Sequence, residues 1–304
     1  MGGEATLKLL TFYKNGKLML GVKIKTGIID VEEALNMFPE NGVVTDIMEL
    51  IEGGKGSLRR LEQFISSLDK RGAGYVKQES DIKFGPAVTN PSKIICVGLN
   101  YKKHADETKL PYPKEPILFN KYNNALTGHL NEVTIPRTTE RLDFEVELGI
   151  VIGRRGKHIP EKDALDYVFG YCTTNDLSAR DTQKKSSQWM LGKTSDGFAP
   201  VGPYLVTKDE IDDPNALQLT TTFNGEVCQN SNTSDMIFSC EEIISYASKF
   251  MTLEPGDLIM TGTPEGVIIG RPIEEREYIK PGDTVTVEVE KLGALTNTFV
   301  ADEE

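Results

Sequence analysis

An acidic segment near the middle of the chain carries the side chains best suited to chemistry. In RLDFEVELGIVIG, residues 141–153, strand alternation would place Asp143, Glu145 and Glu147 on one face. Same-face neighbours on a strand are roughly 6.5 to 7 Å apart, so ionised carboxylates there repel unless they are solvated or share a cation. A solvated edge strand is one explanation, but the apolar LGIVIG run favours a buried strand, in which unpaired charges are costly. We therefore predict a site for Mg²⁺ or Mn²⁺, because hard cations prefer oxygen ligands.

A further carboxylate for this site stands in GYCTTNDLSARD, residues 170–181. Asp176 ends a strand-like run, and Asp181 is a weaker candidate. Taken alone, the pair Asn175-Asp176 is more typical of a turn or a helix cap than of a metal ligand. The spacing therefore leaves both interpretations open.

A histidine and a glutamate in GLNYKKHADET are separated by three positions. If this peptide is helical, His104 and Glu107 share a face and can form a hydrogen-bonded pair. The carboxylate would fix the imidazole tautomer and make it a base able to take a proton from water. Spacing alone is equally compatible with a surface pair, while His129 and His158 stand beside turn-like sequence and are interpreted as incidental.

Groups that could bind a substrate carboxylate occur in three turn-like segments. Arg180 offers a planar fork, Lys193 offers a point charge, and the backbone at Gly262 and Thr263 can approach a ligand closely. Taken one at a time, these residues are also compatible with surface charge or simple turns.

The amino-terminal part of the chain has the pattern of a small α+β unit. Residues 7–30 alternate apolar runs with turn signals such as Asn15-Gly16, which predicts a β-meander or hairpin. Residues 31–38 and 47–68 have helical patterns. The stretch 84–93 contains two prolines and no sustained periodicity, so we place a domain junction there.

The remainder of the chain consists mainly of short strand-like runs. One helix is expected at residues 240–250, with Ser239 as its cap and Glu242 at the capping-box position. We predict a mainly β protein with helices, of the α+β class. Its domains would be a small amino-terminal α+β domain at residues 1–85 and a catalytic domain at residues 86–304.

Charge argues against two classes of partner. Acidic residues outnumber basic ones by 46 to 34, and the formal charge of -12 opposes binding to nucleic acid or to anionic membrane surfaces. A small anionic substrate remains compatible, because a bound cation inverts the local field.

Cysteine spacing and the amino-terminal segment bear on the compartment. Cys96, Cys172, Cys228 and Cys240 form no CxxC pair and are interpreted as reduced, mostly packed thiols. Charges interrupt every apolar run in residues 1–20, which favours neither a signal peptide nor a membrane span. The cytoplasm is the expected location.

The motifs together resemble the fumarylacetoacetate hydrolase superfamily, which includes acylpyruvases, oxaloacetate decarboxylases and 2-hydroxyhepta-2,4-diene-1,7-dioate isomerases. The resemblance spans about residues 93–298 and keeps the family's order and spacing. It rests on VGLNYKKHADE, EPILFNK, LDFEVELGIVIG, GYCTTNDLSARDTQ, GKTSDGFAPVGP, SDMIF and EPGDLIMTGTPEGV. One departure is the sequence Lys121-Tyr122-Asn123, where many relatives have a Lys-Pro-Ser-like sequence beside the pocket.

The resemblance implies a role for each candidate residue. It implies a mixed β-sandwich roll, usually in a homodimer, in which a metal is held by three carboxylates and water is activated by a histidine and a glutamate. The implied metal ligands are Glu145, Glu147 and Asp176; the implied catalytic residues are His104, Glu107 and Lys193; the implied residues near substrate are Arg180, Gln183 and Thr263; and Lys121 is implied to lie behind the ligands.

The resemblance also implies a small 2-keto or 2,4-diketo acid as substrate. Our first expectation is metal-dependent hydrolysis of a carbon-carbon bond in an acylpyruvate or fumarylacetoacetate type of substrate, because both His104 and Glu107 are present. Oxaloacetate decarboxylation and dienol isomerisation are the alternatives, since both use the same metal-stabilised enolate. A non-catalytic protein that binds a metal or a ligand is a remote alternative.

Overall fold

The amino-terminal part forms a strand meander followed by three helices. The structure, a computed structural model, describes residues 7–69 and 74–303, so the first six residues of the segment considered for a signal peptide lie outside it. The predicted meander is confirmed, and the turn at Asn15-Gly16 has the positive φ angles that a two-residue hairpin loop requires. The elements are β1 (Lys8–Lys14), β2 (Lys17–Ile24), β3 (Gly27–Asp30), α1 (Val31–Met37), α2 (Ile47–Glu52) and α3 (Gly54–Ser67).

Side-chain caps and a glycine define these helices. Asp30 accepts a hydrogen bond from the Glu33 N–H at the start of α1, and Asp46 accepts from two N–H groups at the start of α2. The predicted helix over residues 47–68 is present as two helices that meet at Gly53. The apolar face of α3 is buried through Leu61 and its neighbours.

The rest of the chain is built mainly of strands, as predicted. Helix α7 begins at the capping box of Ser239 and Glu242 that the sequence indicates. Short 3-10 helices join several of the elements. The elements in chain order are β4 (Val76–Lys77), β5 (Lys83–Phe84), β6 (Ile94–Gly98), α4 (Lys102–Thr108), β7 (Ile117–Lys121), β8 (Leu126–Thr127), β9 (Glu132–Ile135), β10 (Leu142–Asp143), β11 (Val146–Ile152), β12 (Val168–Asn175), β13 (Ser178–Ala179), α5 (Arg180–Gln183), α6 (Met190–Lys193), β14 (Ala199–Thr207), β15 (Gln218–Phe223), β16 (Glu226–Asn232), α7 (Cys240–Phe250), β17 (Leu258–Met260), β18 (Thr284–Val289) and β19 (Gly293–Ala301).

A large mixed sheet runs through the molecule and is covered on both faces. Its order is β4-β3-β2-β1-β14-β12-β11-β17-β6-β7, with β5 beside β1 and β8 beside β14. Strand β11 lies near its centre, where Leu148 and Ile150 pack in one apolar cluster and Val151 packs in the other. Burial on both faces explains why the LGIVIG run is almost continuously apolar.

A second sheet packs against one face of the first. Its order is β16-β15-β18-β19-β9, and it contributes Leu219, Val287 and Phe299 to the cluster that contains Leu148 and Ile150. The amino-terminal helices contribute to the cluster on the opposite face. The predicted α+β class, dominated by packed mixed sheets, is confirmed.

The two predicted domains share one sheet in this structure. Strand β1 pairs with β14 through Leu9 opposite Leu205, and both side chains lie in the same apolar cluster. In the expected junction, the Ala87 N–H donates a hydrogen bond to the Val201 carbonyl. The division at residues 85 and 86 stays a prediction.

The state of the cysteines and the character of the helices bear on the compartment predicted for the protein. The four cysteines are free, with Cys96, Cys172 and Cys240 buried and Cys228 half-buried, as the spacing indicates. Within residues 7–69 and 74–303, no helix combines the length and the apolar character needed to cross a bilayer.

The shared cluster leads to a stability prediction for Leu9→Ala. Because Leu9 is fully buried against the large sheet, the substitution should lower the free energy of unfolding by about 2 to 5 kcal/mol. Chemical denaturation would measure the change, with Leu130→Ala as the control because the Leu130 side chain is 63% exposed. Equal and small effects of the two substitutions would show that β1 is not part of the shared core.

Candidate active site

A break in the acidic strand sets the directions of its carboxylates. The continuous strand alternation predicted for residues 141–153 is wrong, because β10 ends at Asp143 and β11 begins at Val146. At the break, side-chain oxygens accept the hydrogen bonds that carbonyl groups of a neighbouring strand would otherwise accept. The Phe144 N–H donates to Asp143 Oδ1 at 2.9 Å, and the Glu145 N–H donates to Asn175 Oδ1 at 3.0 Å. Asp143 is thereby separated from the other two carboxylates.

Three buried carboxylates converge next to this break. One oxygen each from Glu145, Glu147 and Asp176 lies within 4.8 Å of the others. Asp176 reaches the cluster from the end of β12, and its N–H donates to the Glu145 carbonyl at 2.9 Å. The residues predicted to bind a metal are therefore together in the structure, whereas Asp143 is not one of the three. Their role as ligands stays a prediction.

Buried cations pair with most of these oxygens. Lys193 Nζ lies 2.8 Å from both Glu145 Oε2 and Asp176 Oδ2. All three side-chain nitrogens of Arg180 are engaged, Nε by Asp143, Nη2 by Glu145 and Nη1 by Gln183. Three of the five N–H donors of this guanidinium are thus bound to the protein, where they orient Glu145, and a role of Arg180 in binding substrate stays a prediction.

Lys121 behaves differently from the other two cations. Its Nζ donates hydrogen bonds to the carbonyls of Leu177, Lys193 and Phe198, which account for its three hydrogens. Asp176 Oδ1 is only 2.7 Å away, yet it receives no hydrogen bond and is buried. Lys121 therefore fixes the backbone beside Asp176 and Lys193, while the Asp176 carboxylate keeps an oxygen available to a ligand.

The charges in this region do not balance. Four buried carboxylates lie among three buried cations; they are Asp143, Glu145, Glu147 and Asp176 among Lys121, Arg180 and Lys193. Burial would raise the pKa of Glu145, but the charges of Lys193 and Arg180 outweigh it and lower the pKa to about 2. Burial, with Asp176 and Glu145, raises the pKa of Glu147 well above its ordinary value.

An oxygen-only donor set with excess negative charge fits a hard divalent cation. Glu147 Oε2 accepts a hydrogen bond from the Gly262 N–H at 2.9 Å, which orients that carboxylate. Gly262 has a φ of 101°, and an added Cβ would lie 2.7 Å from Asn100 Cβ, so only glycine fits at this close approach. The side chains present are thus compatible with the Mg²⁺ or Mn²⁺ expected from the sequence.

The predicted histidine and glutamate form a pair on α4. His104 Nδ1 lies 2.8 Å from Glu107 Oε1, and Glu107 Oε2 accepts a hydrogen bond from the Gly266 N–H. Because a carboxylate can only accept, the contact assigns the proton to Nδ1 and leaves Nε2 with a lone pair. Gly270 packs so closely on Glu107 that an added Cβ would lie 2.5 Å from the carboxyl carbon. The imidazole is therefore held in one tautomer.

Both groups face a cavity of about 1160 Å³. Aromatic side chains of Phe119 and Trp189 meet edge to face at 5.3 Å on its wall. Of the residues singled out from the sequence, the lining contains His104, Glu107, Glu145, Glu147, Asp176, Arg180, Gln183, Lys193 and Thr263. Gly262, Lys121 and Tyr122 are not among the described lining residues.

One positioning residue gave no signal in the sequence. Gln229 is fully buried, accepts from the Val146 N–H, and donates through Nε2 to Thr263 Oγ1 and the Pro264 carbonyl. Thr263 Oγ1 accepts from Gln229, and no described residue accepts the hydroxyl hydrogen of Thr263, which can therefore donate into the cavity. Gln229 stands in the polar run VCQNSN, which is typical of an exposed strand, so only the fold identifies it.

Comparison with known proteins agrees with this fold. The family model described as fumarylacetoacetate (FAA) hydrolase C-terminal matches residues 93–300. The chain therefore belongs to the fumarylacetoacetate hydrolase family, a family of enzymes, as the motifs indicate.

Relatives within the family have several activities. The chain is 45% identical over 254 residues, 83% of this chain and 77% of the relative, to the mitochondrial oxaloacetate tautomerase fahd2 of Xenopus laevis. A fumarylacetoacetate hydrolase of Exiguobacterium antarcticum matches with a TM-score of 0.82 and 32% identity, over 97% of this chain and all of the other. A maleylpyruvate hydrolase of Sphingobium sp. SYK-6, solved with manganese(II) and pyruvate, has a TM-score of 0.78 and 27% identity over 97% of this chain and all of that chain.

The carboxylate cluster leads to a prediction for Glu147→Gln. Loss of one of three carboxylates should lower Mn²⁺ affinity by more than the roughly 10- to 100-fold that accompanies loss of a residue behind the ligands. Without metal the variant should be at least as stable as the parent, because one buried like charge is removed. Isothermal titration calorimetry and thermal unfolding would measure the two effects.

The matched control is Glu226→Gln, the same substitution at an exposed position on β16. Parent-like Mn²⁺ affinity in Glu147→Gln would exclude Glu147 as a ligand.

Proposed function

We propose that this chain is a divalent-metal-dependent enzyme that interconverts the enol and keto forms of oxaloacetate. The observation that carries the proposal is the His104–Glu107 pair, whose Nδ1 and Oε1 atoms are 2.8 Å apart. The pair lies on the wall of the cavity in which the carboxylates of Glu145, Glu147 and Asp176 converge, and we call these three carboxylates the floor of the cavity. The reaction requires a proton to leave the C2 oxygen and a proton to reach C3. A single base of fixed tautomer beside a bound 2-oxo acid is sufficient for both transfers.

The substrate assignment draws support from the relatives. A chain 45% identical over most of both lengths is named an oxaloacetate tautomerase, whereas the maleylpyruvate hydrolase is 27% identical. Keto–enol interconversion was not our first expectation from the sequence, which favoured carbon-carbon hydrolysis. Both reactions begin from the same arrangement of base and acidic floor.

The carboxylates of Glu145, Glu147 and Asp176 would hold the divalent cation. When bound, it would supply Lewis-acid stabilisation of the negative charge on the carboxylate and C2 oxygen of a 2-oxo acid. Lys193 lies within 3 Å of two of these carboxylates and keeps them in place. The donating hydroxyl of Thr263 is available to the same end of the substrate.

His104 Nε2 carries the proton in the proposed reaction. The neutral imidazole takes the proton from the enol hydroxyl, and the imidazolium then delivers it to C3, so the histidine ends as it began. Glu107 stabilises the transient positive charge through the Nδ1 hydrogen bond, while its second oxygen remains bound to the Gly266 N–H.

Hydrolysis of a 2,4-diketo acid is the second candidate function. The cavity of about 1160 Å³ exceeds the roughly 300 to 1000 Å³ typical of small-molecule sites and would accommodate a substrate longer than oxaloacetate. In that reaction His104 would take a proton from water as the water attacks the distal carbonyl. Decarboxylation or dienol isomerisation would use the same floor.

A substrate panel tests these reactions against one another. Enol and keto oxaloacetate, acylpyruvates, maleylpyruvate and a hydroxymuconate analogue would each be assayed with Mg²⁺, with Mn²⁺ and with excess chelator. We expect metal-dependent equilibration of oxaloacetate tautomers without release of carbon dioxide. Cleavage of a diketo acid without any effect on oxaloacetate tautomers would replace the proposal with the hydrolase.

We predict that His104→Ala slows proton transfer strongly but leaves Mn²⁺ affinity nearly unchanged. General acid–base catalysis contributes about 10²- to 10⁴-fold, so kcat should fall by about that factor. The control is His158→Ala, at an exposed histidine that does not line the cavity. Stopped-flow absorbance of the enol and calorimetric titration of Mn²⁺ would measure the two quantities. A parallel loss of metal binding would place His104 in the metal site instead.

The compartment and the assembly belong to the same proposal. The Xenopus laevis relative is named as mitochondrial, so the cytoplasmic location expected from residues 1–20 remains a prediction that fractionation of cells would test. Homodimer formation, implied by the family resemblance, remains a prediction for analytical ultracentrifugation.

A further inference from the structure

The cavity has an acidic floor and basic side chains elsewhere on its wall. Four described acidic residues line the cavity. Glu145, Glu147 and Asp176 form the floor, and Glu107 is hydrogen-bonded to His104. Away from the floor the lining contains Lys109, Lys184, Arg271 and Arg276. Within the described residues, none of these four has a carboxylate within 4.0 Å. In a chain with 46 acidic and 34 basic residues, four such cations around one cavity indicate an anionic ligand.

Two of these cations follow a backbone segment that is hydrogen-bonded to Glu107 and to Asp143. The Gly266 N–H donates to Glu107, and the N–H groups of Ile268 and Ile269 donate to Asp143 at 2.9 and 3.0 Å. Arg271 stands two positions after Ile269, and its own N–H donates to the Ile268 carbonyl. The position of Arg271 relative to the base is therefore set by hydrogen bonds rather than by a free loop.

Arg276 is fastened to the same segment. Its Nε donates to the Arg271 carbonyl at 2.8 Å, which leaves both Nη groups without a hydrogen bond in the described structure. The side chain of Arg271 donates none there either. Both residues are half-buried, and both line the cavity. A planar fork of this kind binds a carboxylate through two parallel hydrogen bonds.

Arg271 is also within reach of a substrate held at the floor. Gly270 packs directly on the Glu107 carboxyl group, and the next Cα lies about 3.8 Å further along the chain. An arginine side chain extending from that point can meet the far end of a ligand whose near end lies beside His104.

We propose that Arg271 and Arg276 form a subsite for the second carboxylate of a dicarboxylic 2-oxo acid. The inference rests on the proposed function, because the 2-oxo acid group of the substrate must be bound at the floor for its second carboxylate to reach these arginines. It deepens that proposal by assigning selection between dicarboxylic and monocarboxylic 2-oxo acids to these two residues. The subsite would serve oxaloacetate and an acidic diketo acid alike, because each has a distal carboxylate.

The test compares oxaloacetate with 2-oxosuccinamate, in which a neutral amide replaces the distal carboxylate. Each substrate would be assayed with the parent, Arg271→Gln and Arg276→Gln. Loss of a hydrogen bond to a charged group corresponds to about a 10- to 100-fold effect, so KM for oxaloacetate should rise by about that factor while kcat changes little. Kinetics with the amide should be nearly the same in all three proteins.

Two further variants separate the subsite from general electrostatics and from local unfolding. Arg59→Gln removes one exposed positive charge on α3, outside the cavity, and should leave KM unchanged. Arg276→Lys keeps the charge but not the fork and should recover part of the loss. Equal losses for both substrates, or the same loss in Arg59→Gln, would overturn the subsite.

A binding measurement distinguishes failure of the subsite from failure of the proposed reaction. Thermal stabilisation of the parent and the variants would be recorded with Mn²⁺ and either compound. If the parent does not equilibrate oxaloacetate tautomers, but is stabilised more by oxaloacetate than by the amide and the arginine variants lose that preference, the subsite stands and the reaction assignment fails. Equal stabilisation of the parent by the two compounds, or none by either, would overturn the subsite whatever the turnover.

Discussion

The crowding of buried like charges is the constraint on which the rest of this structure depends. Glu145, Glu147 and Asp176 bring oxygens within 4.8 Å of one another although all three side chains are buried. Each would be costly to ionise there without compensation. Lys193 and Arg180 compensate Glu145 and part of Asp176, but Glu147 has only the Gly262 N–H as a described hydrogen-bond donor. The residual charge suits the cluster to a divalent cation and an anionic ligand together.

Holding such a cluster requires that the backbone around it be fixed from several directions. Lys121 ties three carbonyls from separate segments to one ammonium group, and Asn175 replaces a missing backbone partner at Glu145. On the opposite side, Gln229, Glu107 and Asp143 each fasten a different part of residues 263–269. Buried polar groups with complete sets of partners specify one arrangement, because any slip would leave a donor or acceptor unsatisfied. Precision at the floor therefore depends on residues other than the three converging carboxylates.

The sequence predicted the features that local pattern can determine. Alternation identified the acidic face of residues 141–153, the three-residue spacing identified the His104–Glu107 pair, and Ser239 with Glu242 identified a helix start. Alternation could not show that the strand breaks after Asp143, because the break depends on the hydrogen bond that the Glu145 N–H donates to Asn175, thirty positions further along the chain. Nor could it distinguish an Arg180 fork that binds substrate from one that binds Asp143 and Glu145. Those distinctions depend on contacts between residues far apart in the chain, which no local pattern contains.

The division between floor and wall explains how one site can serve tautomerases, hydrolases and isomerases. Stabilising an enolate requires contacts only to the carboxylate and the C2 oxygen of a 2-oxo acid. The residues that would bind this end of the substrate are held in place by an extensive network of buried hydrogen bonds. The fate of the enolate depends on the far end of the substrate, where either a distal carbonyl is presented to water or a second carboxylate is retained. In the proposed subsite, Arg271 and Arg276 meet that far end, and neither side chain forms an ion pair with the described carboxylates of the floor. Substitutions there can change substrate selection without disturbing the costly charge balance at the floor, so specificity can vary while the enolate chemistry is kept.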